Sequence, residues 1–178
     1  MNTGQMMITV AAIFLLTLVI MRVTTNLLTT DNAMSNSKVG LMAVSLATSM
    51  MEEATGKAFD NNTDNGNVTV PTSLTAVANL GPESGESYID FNDFDDFNFF
   101  KTTPKIDSIE VAPNKFLIFQ TFCRVDYVNE LNPMVASAIQ TWHKKLNVKV
   151  TSDAMRDATI GRQDTLKMST VFSYWYFR

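Results

Sequence analysis

The sequence predicts an α+β chain: a long N-terminal hydrophobic α-helix continuing into an amphipathic helix that packs on a C-terminal antiparallel β-sheet. Three observations carry this. No residue from Gln5 to Met21 is charged. Apolar residues then recur at helical spacing from Val39 to Ala54. The last third alternates apolar and polar residues with the period of a strand.

Residues 1–28 form the apolar helix. Met6, Met7, Ile8, Val10, Ile13, Phe14, Leu15, Leu16, Leu18, Val19 and Ile20 dominate it, and Thr9 and Thr17 are its only polar side chains between Met6 and Met21. The uncharged run rises roughly 25 Å, the low end of what crosses a hydrocarbon core, and Leu27 and Leu28 extend it. A basic leader region and a small-residue cleavage site, the marks of a secretory signal peptide, are not evident. The first cation, Arg22, lies beyond the run, so positive charge does not orient the chain. The Asn, Thr and Ser content of the remainder points to a domain held outside the cytoplasm.

Residues 29–37 hold Thr29, Thr30, Asn32, Ser35, Asn36 and Ser37, whose side chains compete for the backbone, so this segment is expected to be weakly helical or melted. Residues 38–59 return to an amphipathic helix with Val39, Met42, Ala43, Leu46, Ala47, Met50 and Ala54 on one face. Gly56 and the run from Asp60 to Gly66 stop it. Residues 60–113 read as loop-rich, punctuated by Pro71, Gly81-Pro82, Gly85 and Pro104. Residues 114–178 carry strand candidates at Phe116–Val128, Trp142–Thr151 and Leu166–Phe177, separated by segments containing Asn132-Pro133 and Gly161. In the second, Trp142, Lys144, Leu146, Val148 and Val150 share a buried face, and His143, Lys145, Asn147 and Lys149 a wet one.

At 178 residues with a net charge of −4, the chain has room for one compact domain plus a helical arm and lacks the basic clusters that phosphate binding requires. Nucleic acid is therefore not an expected partner. Cys123 is the sole cysteine, so no intrachain disulfide forms, and its apolar neighbours mark it as a buried thiol in a strand.

The start Met1-Asn2-Thr3-Gly4-Gln5-Met6-Met7-Ile8-Thr9-Val10-Ala11-Ala12-Ile13 resembles that of type IV pilins and the pseudopilins of type II secretion. Ser45–Glu53 followed by Lys57-Ala58-Phe59-Asp60 is similar to a minor-pilin stretch, so the resemblance spans about the first sixty residues and only the architecture matches thereafter. With Met1 as the first mature residue, Gln5 stands where the family carries a glutamate, and an amide there loses the charge that meets a neighbour's terminal amine. With Gly4 ending a short leader, Gln5 becomes the terminus and Thr9 takes the glutamate position. Both registers stay open.

The resemblance implies a structural subunit of an extracellular pilus-like filament or a periplasmic pseudopilus. It would reside in the inner membrane before assembly, then pack its apolar helix against copies of itself with the help of pilus or secretion machinery. The alternative is a monomeric, single-pass, membrane-anchored extracytoplasmic binding or adhesion domain.

Catalysis is not expected. The sequence lacks a phosphate loop, a nucleophile elbow or metal-ligand spacing, and His143 is its sole histidine. No cofactor is required. The most chemically loaded stretch runs from Asp90 to Asn98, where Asp90, Asn92, Asp93, Asp95 and Asp96 offer the oxygen ligands Ca²⁺ takes, and the resemblance implies calcium in this region of some pseudopilins. The competing expectation is a loop pinned by Phe91, Phe94 and Phe97, with its carboxylates solvated. The aromatic run Tyr174-Trp175-Tyr176-Phe177 offers either a contact surface or, through alternate rings, core packing.

Overall fold

A computed structural model describes residues 2–64, 66–102, 108–156 and 163–174. Met1, Pro104, Gly161 and the Trp175-Tyr176-Phe177 part of the aromatic run lie outside the described residues.

One helix, α1 (Thr3–Thr55), covers the apolar and amphipathic stretches without a break. Of the two states expected for residues 29–37, the structure has helix. The hydroxyls there bond back into the helix: Thr29 to the carbonyls of Thr25 and Asn26, Thr30 to Asn26, and Ser37 to Ala33, at 2.9–3.1 Å. A donor that satisfies itself on the preceding turn does not have to unwind that turn.

The chain divides into two units, Met1–Val39 and Gly40–Arg178. The first is the helix alone, with every side chain from Asn2 to Lys38 exposed. The second holds a core of its own. The helix contributes Ala43, Ala47, Met50 and Ala54 to it, the three alanines without measurable exposure. Of the face expected from periodicity, Val39, Ala43 and Met50 are buried while Met42 and Leu46 are half-buried. A stripe of methyl groups occupies the centre, which lets neighbouring structure approach the helix backbone closely. A short helix α2 (Asn61–Asp64) and single 3-10 turns at Pro71–Ser73, Val77–Asn79 and Asp95–Phe97 follow.

The sheet is antiparallel and has five strands: β1 (Ser108–Ala112), β2 (Lys115–Asn129), β3 (Asn132–Ala136), β4 (His143–Arg156) and β5 (Gln163–Ser173). The order is β1-β2-β4-β5, with β3 also paired to β2. The three expected strands are β2, β4 and β5, while β1 and β3 correct the expectation. β1 falls inside the stretch read as loop, because five residues are too short to establish a period. It turns into β2 through Pro113-Asn114, with Asn114 at φ 62, a left-handed conformation asparagine tolerates. Asn132-Pro133, read as a separator, begins β3 instead. This strand is fully exposed, as suits a proline that cannot donate to a ladder.

Alternation sorts the faces. Phe119, Thr121, Cys123, Val125 and Tyr127 of β2 are buried beside Lys144, Leu146, Val148, Val150 and Ser152 of β4, in a register that pairs Cys123 with Val148 and Tyr127 with Lys144. Cys123 is a buried free thiol. The middle of β2 is bordered by residues 98–102: Thr121, Cys123 and Val125 donate their backbone N–H groups to Thr102 Oγ1, Phe100 O and Asn98 Oδ1 at 2.9–3.0 Å.

Candidate functional site

Two places combine features that an ordinary core or surface does not need. The first is the apolar arm. Leu16, Val19 and Ile20 are each about 60% exposed, the other large apolar residues from Met6 to Met21 are 45–77% exposed, and the helix is long and apolar enough to cross a membrane. From Thr3 to Leu28 it rises about 39 Å, more than the roughly 30 Å of a hydrocarbon core. Its threonine hydroxyls are bonded within the helix. Thr9, Thr17, Thr24 and Thr25 donate to the carbonyls of Met6, Ile13, Ile20 and Met21 at 2.8–2.9 Å, so none presents a free hydroxyl proton to an apolar surrounding. Gly4 and Gln5 lie within the first turns of the same helix, and the Gln5 backbone N–H donates to Asn2 O at 2.9 Å.

The second place lies in the Gly40–Arg178 unit, where the strand period puts a lysine in the core. Lys144 follows the buried face of β4 and has no measurable exposure. Its ammonium donates to Phe59 O and Asp60 Oδ2, both at 2.8 Å, and to Asp95 Oδ1. Its nitrogen also lies 4.7 Å from the Phe59 ring centroid and 5.3 Å from that of Tyr127, within cation–π range. Asp60 accepts further from Thr75 N at 3.0 Å, Thr75 Oγ1 at 3.0 Å and Asn62 N at 3.1 Å. The Tyr127 hydroxyl lies 2.8 Å from Thr75 O and 3.2 Å from Asp60 Oδ2.

Environment splits the carboxylates. Burial pushes Asp60 up, but the Lys144 charge and the hydrogen bonds to its oxygens outweigh that and hold it below the usual range. Asp95 is pushed up, because burial outweighs the same lysine. Asp93 is pushed up to about 9, first by burial and then by the charges of Asp95 and Asp96, so it stays protonated at neutral pH. Burial and the Asp60 charge also push the Tyr127 phenol up.

The calcium expectation meets a different arrangement. Asp95 is committed to Lys144; Asp93 Oδ1 accepts from Asp95 N at 2.8 Å and Asp96 N at 3.2 Å, and Asp96 Oδ2 accepts from Asn92 N at 2.9 Å and Asp93 N at 3.1 Å. Asp90 is exposed and accepts from the Ser87 hydroxyl at 2.7 Å, and Asn92 is exposed too. Among the described residues, the group of three carboxylates with oxygens mutually within 4.8 Å is instead Glu83, Glu86 and Asp96. Burial, the hydrogen bond to Glu86 and the Asp96 charge push Glu83 up to about 7. Asp96 is pushed up by its burial.

Phe91, Phe94 and Phe97 do pin the loop, all three being buried, with Phe91 and Phe97 edge-to-face at 5.3 Å and Phe94 at 5.1 Å from Phe172. The carboxylates of Asp93, Asp95 and Asp96 are buried with them, not solvated. Lys144, from β4, supplies charge to Asp95, and the loop's own backbone N–H groups supply donors to one oxygen each of Asp93 and Asp96, in place of water. His143 is half-buried, with Nδ1 2.7 Å from Ser173 Oγ on β5. Tyr174 stacks on Trp142 at 5.2 Å, and its hydroxyl oxygen accepts from Val68 N at 3.1 Å.

Sequence reasoning missed the pairing of Lys144 with Asp60 and Asp95. A signal was present, since a lysine on the apolar face of a strand requires carboxylate partners, but Asp60 read as a turn residue and Asp95 as a metal ligand. Compared with known proteins, the chain matches no protein-family model, no curated protein and no solved structure.

Proposed function

We propose that this chain is a structural subunit of an extracellular pilus-like filament or a pseudopilus, assembled by packing of its N-terminal apolar helices. The observation that carries the reading is the exposure of every side chain from Met6 to Leu28 on a largely apolar helix whose threonine hydroxyls are internally bonded. Such a surface is stable only in lipid or against similar surface, at about 25 cal/mol per Å² of apolar area removed from water. Before assembly the inner membrane would cover it. After assembly, sister helices would, with pilus or secretion machinery moving the chain from one to the other. The unit from Gly40 onward, with its own core, would form the outer part of such an assembly.

Negative-stain microscopy of material sheared from the cell surface tests this. Fibres containing this chain are expected, and Leu16→Asp is expected to abolish them while leaving the chain expressed. Recovery solely in detergent-solubilised membranes would replace the filament with a tethered, monomeric extracytoplasmic domain.

A further inference from the structure

Lys144, Asp95 and Asp60 form more than a static ion cluster. We propose that in the folded chain Lys144 Nζ and Asp95 Cγ join spontaneously as an intramolecular amide, with Asp60 as the group that accepts the lysine proton.

The reacting groups are already together. Nζ donates to Asp95 Oδ1 and lies 2.8 Å from Asp60 Oδ2, and the three side chains are at most 1% exposed. Reactants held so close to one another gain an effective concentration that no intermolecular reaction reaches. Water, the product that would reverse the reaction, is excluded by the Phe59 and Tyr127 rings beside Nζ and by the Phe94–Phe172 pair. Asp95 is fixed from its own turn as well, its backbone N–H donating to Asp93 Oδ1 at 2.8 Å.

The two carboxylates are also divided in the sense the reaction needs. Asp60 is held ionised and can take a proton, and Asp95 is held toward its neutral form and can lose a hydroxyl. The Lys144 ammonium passes one proton to Asp60. The nitrogen lone pair attacks Cγ of protonated Asp95, and the C=O π pair moves onto oxygen. As that carbonyl re-forms, the C–O bond to the hydroxyl breaks and takes up a second proton from nitrogen, leaving as water. The product is a neutral amide beside a protonated Asp60, with atoms and charge conserved and no external reagent. It replaces buried charges, which are costly to desolvate, with a neutral amide that costs less to bury. The bond would tie the Asp95–Phe97 turn covalently to β4. This inference rests on the buried Lys144–Asp60–Asp95 cluster alone and is independent of the filament reading.

Intact-mass spectrometry of the denatured full-length chain, purified in detergent, tests it. The wild-type chain is expected to be lighter than its sequence by one water, after allowing for the N-terminal residue found by peptide mapping. Digestion is expected to yield a branched peptide joining the segments that hold Lys144 and Asp95. Lys144→Met and Asp95→Ala are expected at their full sequence masses, and Asp60→Asn is expected to remain mostly unlinked while folded by circular dichroism. A folded, trypsin-resistant wild-type chain at its full sequence mass overturns the proposal. So does a loss of water that persists in Lys144→Met. Where the variants do not fold, the presence or absence of the branched wild-type peptide decides alone.

Discussion

Lys144 of β4 and Asp60, which follows α1, meet at 2.8 Å with neither side chain exposed to water. Across 84 residues of sequence this contact ties the end of the helix to the sheet. A buried cation keeps its place only while its partners are present. Lys144→Met removes the ion pairs with Asp60 and Asp95, and with them the amide proposed above, and about 3 kcal/mol of stability should be lost. Urea unfolding of the purified chain measures it, and a change under about 1 kcal/mol would show that the cluster contributes little net stability.

Asp93 sets a pH dependence of the opposite sign to that of an ion-paired carboxylate. Its folded pKa of about 9 lies above the unfolded value of 3.8, so its contribution is complete below about pH 4 and falls as pH rises toward 9. Asp93→Asn cannot ionise and keeps an oxygen for the N–H groups of Asp95 and Asp96. It should flatten the stability profile across that window and gain roughly 1 kcal/mol or more at pH 7. Midpoints of urea unfolding at pH 5, 7 and 9 provide the check.

Asn98 joins two parts of the Gly40–Arg178 unit, donating from Nδ2 to Leu80 O at 2.9 Å and accepting from Val125 N at 3.0 Å. Both bonds are buried, so Asn98→Ala orphans one donor and one acceptor. A loss of about 2–3 kcal/mol is expected. Faster amide exchange at Val125 would locate the damage on β2.

Phe99 sits at φ 58 and is 64% exposed. A bulky residue in the left-handed region is strained. Phe99→Gly should therefore raise stability by about 0.5–1 kcal/mol despite the lost ring, read as a higher thermal midpoint. A decrease would mean that the ring, 6.0 Å from the Arg124 guanidinium, stabilises the fold by more than the strain costs.

The unit from Gly40 onward should stand without the arm. A chain lacking residues 1–38 is expected to be monomeric in water without detergent, whereas the full chain requires detergent or lipid. Size-exclusion chromatography of both would show it. A full-length chain that stays monomeric in plain buffer would remove the basis for membrane or filament burial.

The apolar arm, the helical stripe and the alternating strands were legible because each is a local pattern. The Gln5–Met21 run, the Val39–Ala54 spacing and the Leu146-Val148-Val150 alternation each state which surface must leave water. Short edge strands carry too little repetition for this: β1 disappeared into a loop and β3 was hidden behind Pro133. The polar core was less legible still, since Asp60, Asp95 and Lys144 are ordinary surface residue types. What made them core residues is a meeting of three distant segments. Sequence by itself determined that an apolar helix and a half-buried sheet would form, because hydrophobic burial acts through period. Only the tertiary structure decided which charges went inside, because a buried ion is tolerable only when the fold brings its counter-charge within hydrogen-bond reach.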